Sequence, residues 1–211
     1  MDFFGTVVRF FQEGGAFMYP IVVILLAGLA ISLERWLFLA RSHRESRDLW
    51  SELLPTMNQG NFGAAIEQAN ASDTAIGRVL GNGLSCATAG RSRPEIELAM
   101  EESLMEVMPL LEKRTHYLAT FANIATLLGL LGTIIGLIKG FTAVANVNPA
   151  EKADLLSASI SVAMNTTAFG LMAAIPLLLL HALLSTKTND LVDSLEMAAV
   201  KVVNLVGNRS A

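Results

Sequence analysis

Between Asp154 and Lys187 the chain carries no Asp, Glu, Lys or Arg at all. No other feature narrows the possible folds as much, because a soluble helix of that length keeps a polar face. Two further charge-free runs accompany it, over 14–33 and over 115–138. A helix needs about 20 mostly apolar residues to cross a hydrocarbon core ~30 Å thick, and each run is long enough. The stretches "YPIVVILLAGLAISL" and "AAIPLLLLHALL" are apolar all round, which argues against a soluble three-helix core. The apolar fraction of 53% and the charged fraction of 16% point the same way. The fold class this implies is an all-α membrane protein with three transmembrane helices, two of them extended into a cytoplasmic helical domain.

Lysine and arginine bias sets the expected orientation. Only Arg9 precedes the first run, whereas Arg35, Arg41, Arg44 and Arg47 follow it. The N-terminus is therefore expected outside and the chain from about residue 40 in the cytoplasm; Lys113, Arg114, Lys187 and Lys201 agree. The leading "MDFFGTVVRFFQEGG" carries two acids and one arginine, and no small-residue cleavage site follows the first run. That run is expected to be a retained span and not a signal peptide.

Phe3, Phe4, Val7, Val8, Phe10 and Phe11 recur at helical spacing. They suggest an amphipathic helix on the outer face over 1–13, with a plain extension of the first helix as the alternative. The expected order is then a first span at 14–39, a cytoplasmic helical domain at 40–114 and a second span at 115–145. A periplasmic loop at 146–156, a third span at 157–185 and a cytoplasmic C-terminal helix at 186–211 complete it. Within 41–113 short helices are expected, separated by Pro55, Gly60 and Gly83. Ser92, Pro94 and Glu95 form a helix-start signal, after which no strong stop occurs before Gly140, although Pro109 should kink the helix.

The formal charge of −4 argues against nucleic-acid binding. Cys86 is the single cysteine, which excludes an intrachain disulfide and any multi-cysteine metal site. No P-loop, His-Glu-x-x-His or Gly-x-Ser-x-Gly pattern is present, and no ligand cluster surrounds His43, His116 or His181. No Asp lies in any span, so the paired aspartates of an intramembrane protease are missing as well. Neither an enzyme nor a cofactor or metal site is expected. His181 reads as an interfacial residue before it reads as a proton relay.

The polar groups inside the spans are more informative. Gly129, Gly132, Gly136 and Gly140 lie three or four residues apart and form one small-residue stripe, the kind that lets helix backbones approach. Thr126 and Thr133, seven apart, fall along the same side. In the third span Ala163, Thr167, Gly170 and Ala174 make a comparable face, and Ser157, Ser161 and Asn165 a second polar line. Intramembrane hydroxyls can bond their own helix or a neighbouring one. They can also line a path for a small hard cation, which takes hydroxyl and carbonyl oxygens once partly dehydrated. The residues alone leave packing and conduction both open.

"GLLGTIIGLIKGF" followed by "TTAFGLMAAIP" resembles the MotA/TolQ/ExbB family of ion-driven motor subunits. The first stretch is similar to the Gly-Leu-x-Gly-Thr-x-x-Gly of the family's second helix. The second is similar to the Ala-Thr-Ala-x-Gly-Leu-x-Ala-Ala-Ile-Pro of its third. Three spans and a short outer loop match the ExbB/TolQ branch better than the four-span MotA branch.

The resemblance implies a homopentamer in a bacterial inner membrane, N-terminus periplasmic and C-terminus cytoplasmic. It also implies a single-span partner of the ExbD/TolR/MotB type carrying an intramembrane aspartate. Ion flow at that aspartate would be coupled to motion and to work on the outer membrane or envelope. Carried over by position, Thr133 and Thr167 would face the ion path, with Thr166, Thr126 and Asn165 as further candidates.

Two positions depart from the family pattern. Val162 stands where proton-driven members have a glutamate, and Thr126 where a proline precedes the glycine motif. Without a carboxylate in any span, the chain cannot relay protons through its own titrating acids. The titrating group must come from a partner, or the ion must be one that hydroxyls coordinate. The Thr166–Thr167 pair is similar to that of sodium-driven stators, so H⁺ and Na⁺ both stand. Lys139, near the outer end of the second span, is expected to snorkel or to face Glu151, Asp154 or a partner carboxylate. The competing readings are a passive helical membrane scaffold without conduction and a stand-alone transporter.

Overall fold

A computed structural model of the chain describes Phe10, residues 14–145 and residues 147–207. The amphipathic helix expected over 1–13 lies, Phe10 apart, outside the described residues. From Met18 on, the described residues form six helices: α1 Met18–Asn58, α2 Phe62–Ala71, α3 Ala75–Thr88, α4 Arg93–Glu112, α5 Thr115–Ala145 and α6 Lys152–Gly207. Three stretches, within Met18–Asn58, Arg93–Ala145 and Lys152–Gly207, are long and apolar enough to cross a membrane, each with a window of mean hydropathy 2.1. The chain is an all-helical membrane protein with three candidate spans.

Contacts divide it into two compact units. One holds Met1–Leu33 with Arg114–Leu183, the other Glu34–Lys113 with Leu184–Ala211. The boundaries fall where charge re-enters the chain, at Glu34–Arg35, at Lys113–Arg114 and just before Lys187.

The first unit packs the start of α1 against α5 and α6. Its buried centre is Ile21, Leu177 and four alanines, Ala122, Ala125, Ala173 and Ala174. Many of the large side chains point outward: Val23, Leu26 and Leu33 on α1, Leu127 and Ile138 on α5, and Met172, Leu179 and Leu183 on α6 are all exposed. A water-soluble helix bundle reverses that distribution, and an apolar surface this continuous belongs against lipid or other apolar helices.

The second unit is built as a soluble core. Leu53, Met57, Leu80, Leu84, Met100, Leu191 and Leu195 are fully buried, contributed by α1, α3, α4 and α6. Local signals fix its helix ends. Asn61 Oδ1 accepts from Ala64 N–H at 3.3 Å and Thr74 Oγ1 from Gly77 N–H at 3.2 Å, each satisfying an orphan first-turn donor. The Ser92 backbone N–H and hydroxyl both donate to Glu95, at 2.8 and 2.7 Å, so the start signal read at this point is in place. Gly60 (φ 84°) follows α1 in the left-handed conformation that glycine adopts without a Cβ penalty. Lys187 stands 4.3 Å over the Trp36 ring and Lys201 5.8 Å over the Trp50 ring. The step along the chain from Trp36 to Trp50 equals that from Lys187 to Lys201, so α1 and α6 run parallel here.

Three local expectations change. Pro55 does not separate helices: it sits inside α1, in its last turn, where the missing N–H removes one bond at an end that is about to stop. Gly83 does not break α3 either; a Cβ there would collide with the Met100 side chain, so this glycine is a packing residue. The helix expected to continue past Pro109 ends at Glu112, with Pro109 in its interior, and resumes at Thr115. Arg114 makes the joint with φ 66°, a left-handed conformation that costs a non-glycine residue about 1–2 kcal/mol. The stop leaves the Leu111 carbonyl without its helical donor, and the buried Arg35 guanidinium donates to it.

Candidate functional site

The polar groups singled out in the sequence fall at the approach of α5 to α6 in the first unit. The two backbones meet at Gly129 and Gly170. A Cβ on Gly170 would lie 2.8 Å from the Ala125 carbonyl oxygen and 3.0 Å from Gly129 Cα; one on Gly129 would lie 3.2 Å from Gly170 Cα. The rest of the stripe continues this approach. A Cβ on Gly132 would run into the Thr166 methyl, one on Gly136 would meet Ala163 Cβ at 3.0 Å, and one on Gly140 Ser159 Cβ at 2.5 Å. With no hydrophobic drive between helices in lipid, such close approach and the hydrogen bonds it permits are what hold a helix pair.

One turn from the Gly129–Gly170 contact, the Thr133 and Thr167 hydroxyls meet across the two helices. Thr133 Oγ1 is 3.2 Å from the Gly129 carbonyl on its own helix and 3.2 Å from the Ala163 carbonyl opposite. Thr167 Oγ1 is 3.0 Å from the Gly129 carbonyl. Four oxygens thus converge, and the two hydroxyls bring only two protons between them. If Thr167 donates to Gly129 and Thr133 to Ala163, lone pairs on both hydroxyls remain. The cluster is rich in acceptors and uncharged, which suits either a helix clasp or a partly dehydrated small cation.

The remaining candidates lie elsewhere. Thr166 is 2% exposed, and its hydroxyl is placed to donate to the Gly14 carbonyl at 2.6 Å or the Val162 carbonyl at 2.9 Å. It faces the segment that leads into α1 and not the Thr133–Thr167 pair. Val162 faces that segment too, its Cγ1 lying 3.3 Å from where a Cβ on Gly15 would be. Thr126 is exposed and donates to Ala122 of its own helix at 3.0 Å. Asn165 is half-buried, Ser157 and Ser161 are exposed, and none of them joins the cluster. Lys139 is exposed, and none of the ion pairs among the described residues involves it.

The sequence reading missed the Gly129, Ala163 and Gly14 carbonyls, since a backbone oxygen has no residue signature. It could have separated Thr166 from Thr167, because adjacent helical residues point about 100° apart. Among the described residues no group of three His, Cys, Asp or Glu could hold a metal.

Three candidate spans and a glycine-and-threonine helix approach free of carboxylates define a multi-pass membrane protein of channel-like construction. The family comparison is specific: residues 71–197 match the model of the MotA/TolQ/ExbB proton channel family, and the chain belongs to that family. The family is one of channels, so the chain is not an enzyme. A biopolymer transport protein ExbB homologue from Methanothermobacter thermautotrophicus is 30% identical over 199 residues, covering 93% of this chain and 69% of the relative. A biopolymer transport protein ExbB-like 3 from Synechocystis is 28% identical over 169 residues, 80% of each chain. The Tol-Pal system protein TolQ of Haemophilus influenzae is 33% identical over 91 residues, 43% of this chain and 40% of the relative.

Proposed function

We propose that the chain is the pore and scaffold subunit of a cation-driven motor in a bacterial inner membrane, working on the outer membrane or envelope through an ExbD/TolR-like partner. In this reading the N-terminus is periplasmic, residues 40–114 and 186–211 are cytoplasmic, and five copies surround two single-span partner helices. The observation that carries it is the four-oxygen cluster of Thr133, Thr167 and the Gly129 and Ala163 carbonyls. It supplies neutral oxygens to an ion whose charge is balanced by a carboxylate on the partner. Val162 supports this division of labour, since the chain brings no acid of its own to any span. H⁺ relayed at the partner aspartate and Na⁺ coordinated by the hydroxyls are both consistent with an uncharged cluster. Thr166 fastens the α1 lead-in to α6 and supports the path from outside it; Gly129, Gly132, Gly136, Gly140 and Gly170 keep the two helices close enough for the threonines to meet.

The test is Thr133→Val and Thr167→Val, which keep shape and remove the hydroxyls. Each should lower partner-dependent ion flux at least about tenfold, the equivalent of one lost hydrogen bond to an ion, while oligomer and partner co-purify as before. Undiminished flux in both variants would sink the ion-path reading. Replacing Na⁺ by K⁺ at a fixed proton gradient then separates the ions: unchanged activity removes Na⁺.

A second reading, a passive helical scaffold, is favoured by the fact that Thr126, Thr133, Thr166 and Thr167 all have backbone acceptors in reach. It expects the same variants to loosen assembly, with no ion flux in the wild type to lose.

A further inference from the structure

In the second unit α1, α3 and α6 enclose a cleft of about 220 Å³, lined among others by His43, Ser46, Arg47 and Trp50 of α1 and by Ser194 and Lys201 of α6. Among the described residues no acidic one lines it. Neither Arg47 nor Lys201 takes part in an ion pair among the described residues, although Arg41, Arg78, Arg91 and Arg93 all do. Lys201 is instead held over the Trp50 ring at the wall of the cleft.

Ser46 is the second, independent sign. It is 4% exposed and its hydroxyl has no hydrogen-bond partner. Serines elsewhere in these helices return the proton to the carbonyl four residues back: Ser32 to Gly28 at 2.8 Å, Ser85 to Gly81 at 2.7 Å and Ser103 to Ala99 at 2.9 Å. Ser194, across the cleft, is satisfied by the Leu191 carbonyl at 2.7 Å. A buried hydroxyl left unbonded is rare in a folded protein and points to a missing acceptor.

Size narrows what that acceptor is. The cleft is below the roughly 300–1,000 Å³ of pockets that take organic ligands and several times the ~30 Å³ share of one water. It has room for a small ion and part of its hydration. The donors are an arginine fork, an ammonium, an imidazole and a hydroxyl drawn from two helices, more than the two coplanar oxygens of a carboxylate use. We propose that this cleft binds a phosphate-type oxyanion, held by Arg47 and Lys201, with the covered Ser46 hydroxyl rotating about χ1 to donate to it on binding. The site is separate from the threonine cluster and does not depend on the ion-path reading. The oxyanion is either free phosphate or the headgroup of an anionic lipid, and the two sources are separable.

The full chain, purified in an uncharged detergent, is titrated with inorganic phosphate at an ionic strength fixed with potassium chloride, reading thermal stability and ³¹P line width. Saturable stabilisation is expected. Arg47→Gln and Lys201→Met should each weaken it at least about tenfold, since each removes a charge-assisted contact. Ser46→Ala should weaken it severalfold without lowering the melting temperature in the absence of phosphate. Lys187→Met, which removes the corresponding cation over Trp36 outside the cleft, should leave the phosphate response intact.

In a parallel arm the same proteins are placed in nanodiscs with and without phosphatidylglycerol. A response to free phosphate that Arg47→Gln and Lys201→Met weaken assigns a soluble ligand, and one seen only with the anionic lipid assigns a headgroup. No saturable response in either arm overturns the site, and so does a response that Arg47→Gln, Lys201→Met and Ser46→Ala leave unchanged.

Discussion

Both units use glycine for close approach, and the pair Gly129 and Gly170 differs from the pair Gly81 and Gly83 in what stands opposite. In the first unit Gly129 and Gly170 meet backbone atoms, the Ala125 carbonyl and each other's Cα. In the second, Gly81 and Gly83 meet side chains, the Asn70 amide oxygen and the end of Met100. A side chain can swing aside and a helix backbone cannot. The two units also differ in where cohesion comes from. The second unit has Leu53, Leu80, Leu84 and Leu195 fully buried and gains from removing them from water. The first turns Leu26, Leu33, Leu127, Leu179 and Leu183 outward and centres largely on alanines, so its cohesion rests mainly on dispersion at short range and on hydroxyl–carbonyl bonds.

The largest effect should come from the water-driven core. Leu80→Ala removes a fully buried side chain of α3 and should cost about 2–5 kcal/mol. Both tryptophans, Trp36 and Trp50, lie in the second unit, so denaturant unfolding followed by their fluorescence reads this unit alone. A loss under about 1 kcal/mol, the scale of an ordinary point mutation, would mean the core is not packed as described.

Gly170→Ala comes next. The added methyl has only backbone to displace, and overpacking of this kind costs about 1–3 kcal/mol. It should weaken the α5–α6 pair, read as faster amide hydrogen exchange in both helices, while leaving the tryptophan unfolding midpoint where it was. A shift in that midpoint instead would break the contrast between the units. Gly81→Ala sharpens the same contrast from the other side. Its methyl meets the end of Asn70, an exposed side chain, and alanine gains up to ~1 kcal/mol of helix propensity over glycine. Stability should stay level or rise slightly; a fall as large as that of Gly170→Ala would show that side-chain neighbours are no more forgiving than backbone.

The membrane unit was the more legible of the two from sequence. Charge-free runs long enough to cross a bilayer have few physical solutions, and the glycine stripe is a spacing that survives without knowing what faces it. The start of α4 was readable because Ser92 and Glu95 act on each other within one turn. Pro55 and Gly83 misled because a breaker's effect depends on position within the helix and on what packs there. The joint at Lys113–Arg114 carries no glycine, so nothing local announces a left-handed residue. Thr126 and Thr133 share a side, yet only Thr133 reaches across to α6; Thr126 is exposed and returns its proton to its own helix, which the spacing alone does not reveal. The cleft around Ser46 joins α1 to α6, elements far apart in the chain, and leaves no linear pattern.

The smallest effect tests the boundary between local and tertiary stabilisation. Glu95 is held below its ordinary carboxyl range chiefly by the Ser92 hydroxyl and then by the Ser92 backbone N–H. A carboxyl whose folded pKa is depressed contributes stability that is fully present above its unfolded value, here the ordinary 4.5, and is lost as pH falls through the folded value. Glu95→Gln should therefore lower the melting temperature of the second unit slightly at neutral pH. Wild type and variant should converge in acid, because the protonated glutamic acid is as neutral as glutamine. The carboxylate lies at the surface, so the difference should be smaller than any of the core effects. A gap between the two proteins that persists unchanged deep into acid would show that the side chain acts at the start of α4 by packing and not by its charge.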